Sequence, residues 1–152
     1  EDFYLAYFKS QIGAGQKLND LKNIFISVKN EDKQGMSIIA KSFRENGYNL
    51  FTTKGTHDFL LKEGISSNLV NKVAEGSPHV VEYIKQNKID LVINTTEKKQ
   101  AIIDSFTIRR TSVDLNIPYY TNLRSAEILI KSLIILKNKP ISVKPIQNHH
   151  SF

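Results

Sequence analysis

Short runs of apolar, largely β-branched residues alternate along this chain with segments whose apolar positions recur at helical spacing, and this alternation most constrains the fold. A strand that is apolar on both faces must be covered on both sides, so strand, helix, strand in series points to βαβ units around a buried parallel sheet. Five runs read as strands: Asn23 to Val28, Asn49 to Thr53, Leu69 to Val73, Asp90 to Thr95 and Ile117 to Thr121. Helices read near Asp32 to Asn46, Thr56 to Glu63, Pro78 to Asn87, Lys99 to Leu115 and Ser125 to Lys137. The expected fold class is α/β: a three-layer, Rossmann-type open sheet of five mainly parallel strands flanked by helices.

The helix boundaries carry their own chemistry. Asn46-Gly47 and Glu63-Gly64 place glycine where a helix ends in a left-handed residue, and Ser77-Pro78 reads as a cap followed by a first-turn proline. Met36, Ile39, Ala40 and Phe43 form one apolar stripe, which reads as core. Two segments lie outside the repeat. Phe3 to Gly15 is aromatic and breaks at Gly13-Ala14-Gly15, as a connecting helix packed on a neighbouring domain would. Ile141-Ser142-Val143 reads as a short extra edge strand, and Asn148-His149-His150 as a loose tail.

With 152 residues and 40% hydrophobic content, the chain fits one compact domain. It has no cysteine, which excludes disulfides and thiolate metal sites. No apolar run approaches the roughly 18 residues of a membrane span. The start at Glu1-Asp2-Phe3, without methionine or a leader pattern, reads as a piece of something longer. The net charge of +6 invites a nucleic-acid reading, but the lysines are interspersed with acids, as in Lys29-Asn30-Glu31-Asp32-Lys33, which describes a solvated surface instead. Neither nucleic acid nor membrane is expected as a partner. His57 and His79 each begin a helix with neither a serine-plus-acid arrangement nor metal-ligand spacing nearby, so no catalytic group and no metal site is expected.

The polar residues gather at the strand ends, where open parallel sheets bind ligands. Ser27 closes the first strand and Lys33 opens the following helix; Thr53 and Thr56 flank the Thr53-Lys54-Gly55-Thr56 turn; Lys72 ends the third strand; Asn94-Thr95-Thr96 ends the fourth; Thr121 and Asn122 end the fifth. Two lysines, several hydroxyls and helix-start amides suit a phosphate dianion held by charge-assisted hydrogen bonds. Asp104, Arg109 and Arg110 lie on the fourth of these helices, where they either pair or line the site; adjacent arginines point about 100° apart and do not both face one ligand.

The ordered segments SVKNEDK, FTTKGT, GI, VNKVAEGSPH, LVINTT, DSFTIRR, IPYYTN and ISV, from Phe3 to Val143, resemble the C-terminal regulatory domain of the carbamoyl phosphate synthase large subunit, which has the methylglyoxal-synthase-like fold. AYFKSQIGAG also resembles the connector after that subunit's second synthetase half. The resemblance implies a connector over residues 1–18, a regulatory domain over 19–145 and a tail over 146–152. It implies a non-catalytic domain binding UMP as inhibitor and IMP as activator, with no cofactor of its own. The parent enzyme of that family is a cytoplasmic ligase. It uses ATP with Mg or Mn, and K, to make carbamoyl phosphate from bicarbonate and glutamine for arginine and pyrimidine synthesis. The partners implied are the synthetase domains and the glutaminase small subunit.

Carried over residue by residue, the resemblance makes Lys33, Thr53, Thr56 and Lys72 the effector's phosphate ligands, and Ser27, Asn94, Thr95 and Thr96 their neighbours in the pocket. Tyr119, Tyr120 and Thr121 fall on the stretch that meets ornithine in the family, but Tyr120 stands where an acid often precedes the threonine, and a tyrosine does not supply the carboxylate that pairs with an ammonium. Glu97-Lys98-Lys99-Gln100 is also more basic than the family's usual loop. The alternative is a lyase resembling methylglyoxal synthase, acting on dihydroxyacetone phosphate. Its base is carried on a Gly-Gly-Asp turn after the third strand, where this chain reads Glu75-Gly76-Ser77-Pro78-His79.

Overall fold

The computed structural model describes residues 2–96 and 99–138, apart from the side chains of 99–101. The strands are β1 (Asn23–Ser27), β2 (Asn49–Thr52), β3 (Asn68–Leu69), β4 (Leu91–Asn94) and β5 (Tyr119–Tyr120). The helices are α1 (Phe3–Gly13), α2 (Lys33–Glu45), α3 (Lys54–Lys62), α4 (Val80–Lys85), α5 (Lys99–Asp114) and α6 (Leu123–Asn138). All pairings are parallel, and the sheet runs β3-β2-β1-β4-β5. The chain grows outward from β1 to β3, then crosses back to lay β4 on the other side of β1. Strand order therefore reverses between β1 and β4, which opens a crevice beyond their carboxyl ends.

Alternation along the strands divides the core in two. Ile24, Ile26, Leu50, Leu91, Ile93 and Tyr120 pack with Met36, Ile39, Ala40 and Phe43 of α2 and Ala126, Leu129, Ile130 and Leu133 of α6. Phe8 of α1 and Leu18 join that cluster, so the aromatic N-terminal helix covers part of this sheet's own core. Phe25 and Val92 face the opposite way, onto Val80, Val81 and Ile84 of α4 and Ile108 of α5. Burying each such aliphatic or aromatic side chain stabilises the fold by about 1.5–3 kcal/mol.

Two helix ends follow the expected glycine chemistry. Gly47 (φ 87°) and Gly64 (φ 75°) take left-handed conformations. The residues after them close the motif, Tyr48 N–H on Phe43 O and Ile65 N–H on Leu60 O. Several expected boundaries shift: α3 starts at Lys54 rather than Thr56 and α6 at Leu123 rather than Ser125, and three further elements change more. The third strand is Asn68–Leu69 rather than Leu69 to Val73; after it Val70 N–H still reaches Thr52 O, Asn71 bridges to His79, and Val73–Glu75 makes a 3₁₀ turn whose Glu75 carboxylate accepts the Lys72 N–H. An edge strand has one neighbour, so its ladder stops where that neighbour turns away. The fifth strand narrows to Tyr119–Tyr120. The helix expected from Pro78 to Asn87 is α4, which starts at Val80 with His79 as its cap residue, so Ser77 and Pro78 precede it. Ser77 instead donates its hydroxyl to Glu82, while Glu82 accepts the His79 N–H at 2.7 Å. The strand expected at Ile141-Ser142-Val143 and the tail lie outside the described residues.

Candidate functional site

Register fixes the site. Ile26 pairs with Thr52 and Ser27 with Asn94, so three strands end level with one another at the crevice. The loops beyond are pinned by short bonds: Thr95 N–H donates to Ser27 O (2.9 Å), Lys29 N–H to Thr95 Oγ1 (3.0 Å) and Val28 N–H to Thr56 Oγ1 (3.2 Å). The hydroxyls of Ser27 and Thr53 share a hydrogen bond of 2.9 Å. Thr53, Thr56, Asn94 and Thr95 are all buried, as befits polar groups with fixed partners.

Because Thr53 hydrogen-bonds Ser27, it makes no side-chain cap on α3, whose first backbone bond is His57 N–H to Thr53 O. The amides of Lys54, Gly55 and Thr56 precede that bond and are the orphan donors of the helix start. Lys33, at the start of α2, is steered over them by Asn30, whose Oδ1 accepts from Lys33 Nζ at 2.7 Å. A Cβ on Gly55 would lie 3.1 Å from that ammonium nitrogen, so glycine is what allows the close approach. A positive helix end with an ammonium group drawn close over it, at the edge of a hydroxyl-rich cleft, suits an oxyanion.

The structure gathers all eight residues carried over for the nucleotide site around one cleft of about 160 Å³: Lys33, Thr53, Thr56 and Lys72, with Ser27, Asn94, Thr95 and Thr96. Lys72 reaches it from the exposed turn after β3. Phe25, Val80 and Ile108 supply an apolar wall, and Asp104 and Ser105 of α5 complete it. Lys29 and Asn30 also line this cleft and were not singled out by strand-end reasoning. The signal available was that both stand within three residues of Ser27, in the loop β1 feeds.

A second cleft, about 510 Å³, lies on the far side of the β4 end and shares Lys29, Asn94, Thr95, Thr96 and Ser105 with the first. Tyr119 and Thr121 line it, whereas Tyr120 points to the opposite face of the sheet and is buried in the α2–α6 core. The three residues expected at an ornithine boundary thus divide, two in the cleft and one beneath the sheet. The Tyr120 hydroxyl makes no hydrogen bond of normal geometry; burial first, and then the neighbouring Tyr7, push its ionisation up. Arg109 also lines the second cleft, 5.8 Å from the Tyr119 ring centre, while Arg110 lies away from it beside Thr111 and Asp114, as the rotation between adjacent helical residues requires.

Asn94 stands between the clefts. Its amide nitrogen donates to Ser105 Oγ and to Tyr119 Oη, each at 2.9 Å. Burial raises the ionisation of the Tyr119 phenol, with the Asn94 bond opposing it, so the group stays protonated around neutral pH. His57 serves elsewhere: its Nδ1 bonds Ser67 Oγ, which in turn meets Thr52 Oγ1. Among the described residues no group of three or more His, Asp or Glu is placed to hold a metal ion. No helix of the described residues is long and apolar enough to cross a membrane.

Comparison with known proteins agrees with this architecture. The model of the MGS-like domain family matches residues 35–121. The carbamoyl phosphate synthase large chain of Myxococcus xanthus is 43% identical over 148 residues, 97% of this chain and 14% of that protein. That of Methanosphaerula palustris is 41% identical over 150 residues, 99% of this chain and again 14% of the relative. The C-terminal section of the Aquifex aeolicus large chain is 38% identical, covering 97% of this chain and 28% of that protein. This chain therefore spans a small part of the length of the relatives it matches. The crystal structure of methylglyoxal synthase from Elizabethkingia anophelis superposes with a TM-score of 0.59 at 16% identity, over 82% of this chain and 94% of that one, a likeness of fold. By sequence and by fold, this chain belongs to the MGS-like domain family.

Proposed function

We propose that this chain is the non-catalytic effector domain of a carbamoyl phosphate synthase large subunit, holding the phosphate of a nucleoside monophosphate in the first cleft, with UMP as inhibitor and IMP as activator. The observation that carries the reading is the convergence of Lys29, Lys33 and Lys72 with the open amides of α3 and the Thr53 and Thr95 side chains on one crevice. Cations, hydroxyls and helix-start amides together bind a phosphate dianion far better than any one of them. The likeness to large chains along 97% of this chain supports placing it at the regulatory end of such a subunit. There it would act in the cytoplasm on the synthetase domains that use ATP, Mg or Mn, and K, with the glutaminase subunit beyond them. The layout proposed is a connector over 1–18, the effector domain over 19–145 and a tail over 146–152. Regulation requires only that the nucleotide bind one arrangement of the crevice loops more tightly than another.

The lyase reading is weaker on a specific point. Removing a proton from dihydroxyacetone phosphate needs a carboxylate base beside the phosphate cradle. The turn that carries that base in methylglyoxal synthase reads Glu75-Gly76-Ser77-Pro78-His79 here, exposed through Pro78 and outside the lining of the cleft, and the carboxylate that does line the cleft, Asp104, comes from α5 and not from that turn. Titration calorimetry of the chain with UMP and IMP tests the proposal. Lys72→Ala is expected to weaken both about tenfold, the scale of one charge-assisted bond. Absence of nucleotide binding, or methylglyoxal formed from dihydroxyacetone phosphate, would sink it.

A further inference from the structure

We propose that Tyr119 is a positioning residue for the nucleotide cleft: it turns the Asn94 carboxamide so that this side chain presents only its oxygen, and thereby selects ligands that carry a hydroxyl or N–H donor beside the phosphate. This rests on the nucleotide reading above and names what sets its specificity.

The argument starts from the hydrogen-bonding capacity of an asparagine side chain, which offers two N–H donors and one carbonyl acceptor. Asn94 is 5% exposed and lines both clefts. Both of its donors are used, one on Ser105 Oγ from α5 and one on Tyr119 Oη from β5. The oxygen is what remains for a ligand. A ribose hydroxyl or a base N–H satisfies it. A carbonyl next to a phosphate sets lone pairs against lone pairs and gains nothing there, and inorganic phosphate lacks the ribose and base that carry a donor beyond the phosphate cradle.

The two hydroxyls that hold Asn94 differ in standing. Ser105 belongs to the wall of the first cleft and is within reach of a ligand there. Tyr119 does not line that cleft; it approaches Asn94 from the second one, its ring held near the Arg109 guanidinium. Two neighbours connect Tyr119 to the first cleft, the Asn94 carboxamide that donates to its hydroxyl and the Ser105 hydroxyl that also lies near the phenol. The route proposed is Asn94, and the double variant with Asn94→Ala separates the two. Removing the phenol hydroxyl leaves one carboxamide N–H unpartnered in a buried place and free to seek the ligand side, which blurs the donor preference and leaves the lysines and α3 amides untouched.

The test compares UMP with inorganic phosphate on the 152-residue chain. Tyr119→Phe is expected to weaken UMP about tenfold, the scale of one misoriented buried hydrogen bond, and to leave inorganic phosphate affinity unchanged. In an Asn94→Ala background the same substitution is expected to have no further effect, because the two act through one group. Equal loss of both ligands, unchanged UMP affinity, or additive effects in the double variant would each overturn the inference. A second measurement keeps it separate from the nucleotide reading. In the ligand-free chain, the side-chain amide proton resonances of Asn94 are expected to move on Tyr119→Phe; if they stay in place, Tyr119 does not orient Asn94, whatever the chain binds.

Discussion

The Thr56 hydroxyl accepts the buried Val28 N–H, while its neighbour Gly55 leaves room for the Lys33 ammonium. One turn thus holds a threonine that ties the fold together as well as lining the cleft, and a glycine whose role is to admit the ammonium, and substitution separates the two. Thr56→Val keeps the shape and removes the acceptor, stranding a buried amide at about 1–3 kcal/mol. In thermal unfolding of a domain this size that is expected to lower the midpoint by about 3–10 °C, with Thr56→Ser restoring most of it. Gly55→Ala acts the other way: the added methyl meets the mobile end of Lys33, which swings aside at little structural cost. Calorimetry is expected to show unchanged or slightly higher stability together with weaker phosphate binding. A stability loss in Gly55→Ala with phosphate affinity intact would contradict this account of the cradle.

At the level of elements, α4 shows how a short helix is anchored by its entry rather than by its length. Its six residues begin where Glu82 gathers the Ser77 hydroxyl and the His79 N–H. Those bonds, the serine's foremost, hold the Glu82 carboxyl below the usual glutamate range. A carboxylate lowered in this way stabilises the turn fully above the ordinary glutamate value of about 4.3, and the stabilisation is lost as pH falls through the lowered value. Hydrogen exchange at the His79 amide, corrected for intrinsic rate, is expected to speed up on acidification below about pH 4, and Glu82→Gln to weaken that dependence. The same entry shows where sequence reading falls short. Ser-Pro before an apolar run is a sound start signal, yet the acid at Glu82 recruits His79 as the cap residue two positions later. The central strands and the glycine-ended helices α2 and α3 were legible because an apolar run or a left-handed residue fixes them locally. The extents of β3 and β5 were not, because an edge strand ends where its partner turns, which no local composition records.

For the whole molecule, the eight residues carried over for the nucleotide converge because strand order, not local sequence, brings residues 27, 53, 72 and 94 together. Their chemistry was visible as polar strand ends; their convergence needed the β1–β4 reversal. The Asn94 bridge to Tyr119 was invisible beforehand, since nothing in either segment names the other as partner. A ligand that ties these loops stabilises the entire fold: at 100 times its dissociation constant, UMP is expected to add about 2.7 kcal/mol. Differential scanning fluorimetry is expected to show the midpoint rising by about 5–10 °C. A midpoint that does not move with UMP or IMP would rule out tight binding to the native state.

The crossing from β3 back to β4 also divides the polypeptide into two contiguous halves. The first supplies Ser27, Lys33, Thr53, Thr56 and Lys72; the second supplies Asn94, Thr95, Thr96, Asp104 and Ser105. Neither half holds a whole cleft, and β1 meets β4 along the seam between them. A nucleotide seated in the crevice, its phosphate on the first piece and its remainder against the second, would therefore act as a rivet between two pieces of chain, and its grip would gauge whether they are joined.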